Sequence, residues 1–403
     1  MRGRVLNVVG LIIGLCVVNV ANAENQNFVH PGMLSTNDDF ARAKRLVTSK
    51  TSPAIDSWNL LEKSRYAAAD YAPNPVDRVV RGNPSWGKDN YASLFRDAAA
   101  AYQLAVRWKI SGNIDYANAS IKVLDAWADK LTDVIGTSDK YLASGIYGYE
   151  LANAAEIMRT YPGWKKFPQF QGMMLKVFYP MNHDFITKHN GYGEAGLHYW
   201  ANWDLVNLAS MMAIGILTDR HDIYKESMNY VLHGQGNGAF NNAMWAVYPG
   251  TGKEVGLAQV QESGRDQGHS TLDIAIIGVI CQMAWSQGDD LFSFNHNLAL
   301  KASEYVAKYN LLYDVPWTNY TTSDGSVQTQ ISSGSRGSTR PIWTLIYNHY
   351  AGIKHLEAPY TKKMMDNFGP EAGAYGSNSG GFDQLGYGSL LFTNYQEAAA
   401  GKR

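Results

Sequence analysis

Two short runs in this 403-residue chain concentrate side chains that can hold an anion and move a proton. The first is Leu197-His198-Tyr199-Trp200-Ala201-Asn202-Trp203-Asp204, and the second is Gln261-Glu262-Ser263-Gly264-Arg265-Asp266-Gln267-Gly268-His269. Residues four apart share a helix face, so the first run read as helix stacks His198 over Asn202 and Tyr199 over Trp203. The same reading puts Arg265 and His269 one turn apart. Asn, Arg and His present the donors that neutralise a carboxylate, and imidazole, with an ordinary pKa of about 6.5, exchanges a proton near neutral pH. A Tyr hydroxyl can donate or relay a proton. A histidine taken singly can equally satisfy a neighbouring backbone group. Two such runs opening equivalent apolar helices favour a shared site.

The elements that must position these groups are helical. Three segments share one grammar, in which an apolar-periodic helix is followed by a short polar turn with an Asp near its end and an aromatic-led second helix. They run over 98–127, 205–232 and 274–309, with Asp115, Asp219, Asp222, Asp289 and Asp290 as candidate N-caps. Further helices are expected at 39–48, 55–68, 143–161, 167–187, 341–354 and 360–367, and no long alternating strand pattern competes with them. About six to seven hairpins result. Their unequal spacing argues against an open solenoid of fixed period and for an all-α ring, an (α/α) toroid, with a concave mouth made by loops. The unusual loops are 74–87, 188–197, 314–340 and a Gly/Ser-rich tail at 369–388.

Composition bounds the partners. Lys and Arg total 35 against 36 Asp and Glu, a net charge of −1, so no whole-molecule field recommends nucleic acid or an anionic membrane. A polyanion must be met locally. The 25 Tyr and 11 Trp suit stacking on sugar rings as well as core packing. Arg2 and Arg4, an apolar run over 8–20 and Ala21-Asn22-Ala23 form a signal peptide ending at Ala23, so a secreted or periplasmic protein without a membrane anchor is expected. The expected organisation is a signal peptide at 1–23, one toroid domain over 24–395 and a frayed tail at 396–403. Cleavage removes Cys16, leaving Cys281 in an apolar stretch without a disulfide partner. No metal-ligand spacing and no phosphate loop stands out, so no metal and no cofactor is expected. The expected state is a monomer.

In Tyr199-Trp200-Ala201-Asn202-Trp203, the run from Glu262 to His269, and Arg340-Pro341-Ile342-Trp343 through Tyr350, the chain resembles the alginate-lyase-like polysaccharide lyases. The likeness is to family 38 and, more distantly, family 5, and covers most of the mature chain as an arrangement of hairpins. It implies an (α/α) toroid that cleaves a uronic acid polymer, alginate or glucuronan, with Asn, His, Arg and Tyr at the cleavage subsite. There are two departures. Gly196 and Leu197 stand where family 5 carries an Asn-His pair ahead of its Tyr-Trp, leaving His198 and Asn202 as the nearest candidates. His269 falls in the column of the family's catalytic Tyr.

β-Elimination from a uronate needs donors that neutralise the carboxylate, a base for the C5 proton and an acid for O4. The expected catalytic set is Asn202 and Arg265 on the carboxylate, His269 abstracting or orienting, and Tyr320, which opens the 314–340 loop, as acid. Tyr192, Tyr199 and Tyr347 compete for that last role. Expected substrate contacts are His198, Tyr199, Trp203, Gln267, Arg81, Arg336, Arg340 and His349, the arginines because guanidinium forks match carboxylates. Two other readings stay open. A glycoside hydrolase on the same ring would use two of Glu194, Asp204, Glu262 and Asp266, and a non-catalytic glycan-binding protein would use the aromatics alone.

Overall fold

Ala-rich and apolar-periodic stretches form long helices, and the polar turns between them reverse the chain. The computed structural model describes residues 27–82, 85, 87–193, 195–251, 255–373 and 382–393. The expected signal peptide and frayed tail, and Glu194, lie outside the described residues.

The helices are α1 Asn37–Thr48, α2 Ala54–Lys63, α3 Ala92–Ser111, α4 Ile114–Lys130, α5 Asp139–Met158, α6 Phe167–Met173, α7 Tyr179–Lys188, α8 Ala201–Leu217, α9 His221–His233, α10 Phe240–Ala243, α11 Gln267–Ser286, α12 Phe294–Asn310, α13 Trp343–Tyr347, α14 Pro359–Phe368 and α15 Gly388–Leu391. The all-α reading therefore holds. α5, α8 and α11 are buried around most of their circumference, as helices packed on every side must be, while α4 and α9 bury a single face. α3, α5, α8 and α11 pack in succession as an inner ring. α13 continues it, with Ile346 against Gly278 of α11, and α15, α1 and α2 return to α3. Gly145 of α5 lets that helix approach α8 closely: a Cβ there would lie 2.8 Å from the Val206 carbonyl carbon. The result is an (α/α) toroid whose core runs continuously from Met33 to Leu391. Among the described residues no helix is long and apolar enough to cross a membrane.

The hairpin turns use different caps from those the Asp residues suggest. α3 ends at Gly112, whose φ of 77° is a conformation that favours glycine, and Asn113 rather than Asp115 caps α4 by accepting from Asp115 N–H at 2.9 Å. Arg220 precedes α9 without a side-chain cap. Asp290 caps only the short 3₁₀ turn Leu291–Ser293, and left-handed Asn295, His296 and Asn297 interrupt the helix expected over 291–309.

Among the described residues strand is confined to two-stranded ribbons. β1 Arg78–Arg81 pairs parallel with β2 Asp133–Gly136, giving order to part of the 74–87 loop. β3 Met244–Tyr248 and β4 Leu257–Val260 are antiparallel, as are β5 Tyr320–Thr321 and β6 Val327–Gln328 in the 314–340 loop. The inner helices all run the same way through the ring, so the N-termini of α3, α5, α8 and α11 open on one face with β1, β2 and these loops around them.

At the other face the N-terminal segment is clasped through His30, which bonds Glu156 at 2.6 Å and Asp219 at 2.9 Å. Burial alone would lower the His30 pKa, but the bond and charge of Glu156, helped by Asp219, outweigh it and raise it above 6.5. A folded-state pKa above the unfolded one gives stability that is complete below pH 6.5 and is lost as pH rises through the folded value. The Tm gap between wild type and His30→Gln should therefore narrow between about pH 5.5 and about pH 9. A gap that widens with pH would overturn this reading of the clasp.

Candidate active site

The two sequence runs meet because one caps the helix that the other begins. Trp200 is extended and α8 starts at Ala201, leaving its first N–H groups without partners inside the helix. Ala201 N–H donates to Gln261 Oε1 at 3.0 Å, and Asn202 N–H donates to Glu262 Oε1 at 2.9 Å. Gln261 and Glu262 lie in the 3₁₀ turn Gln261–Gly264 that follows β4, so the β3–β4 ribbon sets the register between the runs.

A helix start at Ala201 corrects the pairing of His198 with Asn202. His198 is outside the helix, exposed, and stacked on Tyr192 with ring centroids 3.7 Å apart. Tyr199 and Trp203 do pack together, at 4.8 Å, but toward the core with Phe185, and the Tyr199 hydroxyl accepts from Asn190. Neither faces the mouth. Gly196, which replaces the family-5 asparagine, lies against the ring of buried His189 with φ of 53°. His189 bonds Asp204 at 3.1 Å, and Asp204 also accepts from Tyr230 and from Gly238 N–H. The sequence reading missed His189, whose partner is 15 residues away.

The second run is also not one continuous helix. Asp266 is the N-cap of α11, with extended φ of −170°, and accepts from the backbone N–H of His269 at 2.9 Å. Arg265 therefore precedes the cap and does not share a helical face with His269. Its guanidinium turns back to Glu262 Oε2 at 2.9 Å and rests over the Trp200 ring at 5.3 Å. His269 Nδ1 lies 2.6 Å from Asp266 Oδ2. Burial would raise the Asp266 pKa, but the side-chain and backbone hydrogen bonds from His269 hold it below the ordinary carboxylate value. An ionised Asp266 makes Nδ1 the donor, which leaves the lone pair of a neutral imidazole on Nε2. The spacing Asp-x-x-His, cap and third helical residue, is the signal that could have found this pair.

A cleft of about 580 Å³ opens here, lined by Asn202, His269, Asp266, Arg81 and Asp383, with Leu142 and Ile146 of α5 as apolar wall. Arg336 and Arg340 also line it. The arginines differ in what they are free to do. Arg336 spends its guanidinium on the carbonyls of Tyr309 and Tyr313. Arg340 bonds Gly268 O, Thr271, Asp383 and Gln384 and so ties α11 to the C-terminal segment. Burial pushes the Asp383 carboxyl up to about 6, against the pull of Arg340 and Arg81. Arg81 lies over the Tyr91 ring at 4.8 Å, and its Nη1 is buried without a hydrogen-bond partner, as is Asn202 Oδ1.

The remaining expected residues fall around this cleft or away from it. Tyr320 accepts from Gln261 Nε2 at 2.7 Å and sits between Trp245 and Trp200, so one Gln261 amide links it to the start of α8. It shares Trp200 as a neighbour with Arg265 and is not among the residues that line the cleft. Burial raises its pKa, so the phenol keeps its proton. Gln267 is a brace: its amide donates to the carbonyls of Ser263 and Ser332 and accepts from Asn310. His349 is not part of the site. It is buried on Phe292 at 3.5 Å and edge-on to Trp285, and burial pushes its pKa down to about 3. Trp285 is 16 residues beyond His269 on α11, roughly 24 Å along the axis.

Residues 46–317, well over half of the chain, match the alginate lyase family. The chain belongs to the alginate lyase family. The matched span includes Arg81, Asn202, Arg265 and His269 and ends just before Tyr320. A member of this family is a polysaccharide lyase, an enzyme that breaks a carbon–oxygen bond of a uronic acid polymer. Solved alginate lyases share its fold. A histidine-to-alanine form of alginate lyase A1-III, complexed with a tetrasaccharide, has a TM-score of 0.60 at 15% identity, over 90% of this chain and 95% of that one. A1-III from Sphingomonas species A1 gives 0.55 at 16%, over 90% and 95%. An alginate lyase from Bacteroides ovatus gives 0.55 at 12%, over 91% and 100%. No curated protein matches the chain.

Proposed function

We propose that this lyase depolymerises alginate by β-elimination in the Asn202–His269 cleft. The Asn202 amide and the Arg81 guanidinium meet the uronate carboxylate, and Arg265 supports them from behind Asn202. His269 Nε2 takes the C5 proton, the electrons of that C–H bond form the C4–C5 double bond, and the C4–O4 bond breaks. The imidazolium so formed returns that proton to O4, since Tyr320 stands outside the residues that line the cleft. The observation that carries this reading is the His269–Asp266 pair on the same cleft as the buried Arg81 Nη1, a donor without a hydrogen-bond partner. The secreted or periplasmic setting is part of the proposal and follows from the sequence of residues 1–23.

The hydrolase alternative fits less well, because the three of its candidate carboxylates among the described residues are already engaged. Asp204 accepts three hydrogen bonds, Glu262 holds Asn202 N–H and Arg265, and Asp266 caps α11 and binds His269. The deciding experiment incubates purified protein with alginate, polymannuronate, polyguluronate and glucuronan and follows the ultraviolet absorbance of the unsaturated product. Absorbance rising with alginate supports the proposal. Chain shortening without it would indicate hydrolysis.

The arginines offer a sharper check. Arg81→Ala should lower kcat/KM on the polymer by about 10- to 100-fold, the worth of a charge-assisted hydrogen bond. Arg336→Ala, which removes bonds to two backbone carbonyls and a guanidinium resting over the Tyr309 ring, should leave kcat/KM within a few-fold and lower Tm. Equal kinetic losses in the two variants would mean that Arg81 has no special role.

A further inference from the structure

The segment that closes one side of the cleft has a second cavity on its other side. Asp383 lines the catalytic cleft, and its chain neighbour Phe382 lines a separate depression of about 620 Å³. The same aromatic layer runs beneath both. Phe382 stacks on Phe95 at 4.6 Å, Phe95 meets Tyr91 edge-on at 5.8 Å, and Tyr91 carries Arg81 of the cleft.

The lining is cationic and aromatic. Lys63, Arg65 and Arg96 surround Phe382 and Tyr66, and no carboxylate is among the lining residues. Arg65 donates to its neighbour Tyr66, and the groups that act on its charge are the Tyr66 and Tyr71 hydroxyls. Arg96 rests against the Phe95 ring at 5.6 Å. Some exposed cations elsewhere are paired with carboxylates, as in Lys166 with Asp129, Lys188 with Asp184, Arg220 with Asp222 and Lys362 with Asp366. Like charges gathered on one depression repel one another and favour an anionic occupant. Phe382 is half-buried and held at φ of 69°, which an aromatic residue rarely adopts without a packing reason, and it offers a ring to the depression.

We propose that this cavity is a second uronate-binding site, which holds the same polymer chain several sugars from the bond being cut. Its three cations meet carboxylates of the polymer, one per sugar, and Phe382 takes a sugar face. The inference rests on the polymer being a uronan. Its consequence is selectivity for long chains, because a second contact on one polymer raises the effective concentration at the first without new chemistry.

The test is the triple variant Lys63→Ala, Arg65→Ala, Arg96→Ala, whose exposed side chains leave the core untouched. On long polymannuronate, kcat/KM should fall by about tenfold, mainly through KM, and salt should matter less than in wild type. On a trisaccharide both enzymes should agree within about twofold. Equal losses on long and short substrates, or no loss on either, overturn the proposal. Calorimetric binding of a mannuronate decamer to wild type and variant gives a readout independent of turnover. Weaker binding by the variant supports the second site, and equal binding overturns it. Failure of the wild type to form unsaturated product from any uronan would instead count against the proposed function.

Discussion

Changing His269 to alanine lowers kcat on a uronan by about 10²- to 10⁴-fold, the usual contribution of a positioned general base, with little change in Tm. The stability expectation follows from its surroundings. His269 sits in the first turn of α11 at the cleft edge, and its side chain bonds only Asp266 among the described residues. Alanine keeps the helix, and Asp266 still caps it through the backbone N–H of residue 269. What disappears is the imidazole on the cleft that Asn202 and Arg81 also line. Asp266→Asn separates orientation from basicity. Asn is an equally good N-cap, so α11 should hold, but the neutral amide no longer fixes the proton on Nδ1, and kcat should fall well short of wild type while KM changes little. Product absorbance at saturating substrate measures both variants. Activity of His269→Ala within about threefold of wild type would remove this residue from proton transfer.

Replacing Glu262 by alanine is expected to damage both fold and reaction. Glu262 is fully buried, with one oxygen on Asn202 N–H and the other on the Arg265 guanidinium, each at 2.9 Å. Close to it lies buried Asp273, whose carboxyl is pushed well above the ordinary carboxylate range by burial and by the Glu262 charge. Removing the carboxylate leaves a guanidinium and a helix-start N–H without their acceptor, a loss on the order of 3 kcal/mol. It also loosens the backbone at Asn202 and frees the Arg265 side chain behind it, and a displacement of about 1 Å at such a site can cost about 10²-fold in rate. Glu262→Gln separates the effects, since it preserves volume and one acceptor but turns an N–H toward one of the two donors. Denaturant unfolding and kcat should both report a fall for alanine and a smaller one for glutamine. Wild-type values of both in the alanine variant would show that Glu262 does not organise the site.

Asn202 and His269 were legible as neighbours because each opens an inner helix, and hairpins repeated around a ring bring such starts to one mouth. Arg81 was legible only as one of two readings of a loop, contact or solvated surface. Its β1–β2 pairing, with partners 55 residues apart at Arg78 and Asp133, has no local signature. His198 and Arg265 were misplaced for one shared reason: the helix period was carried through the caps at Trp200 and Asp266, where the backbone is extended. His349 has the polarity of a ligand-binding group but points into an aromatic cluster near the far end of α11.

By itself the sequence determined what periodicity and composition can encode: helical hairpins in a ring, two polar helix starts and a near-neutral surface on which a polyanion must be met locally. Tertiary structure alone decided which arginine keeps a free guanidinium, which carboxylate orients His269 rather than flanking a bond, and which aromatic rings face solvent. The physical reason is competition. A polar side chain pairs with the buried partner that the fold brings to it, and partners such as Asp383 for Arg340 or Tyr309 for Arg336 come from elements that only the closed ring brings together.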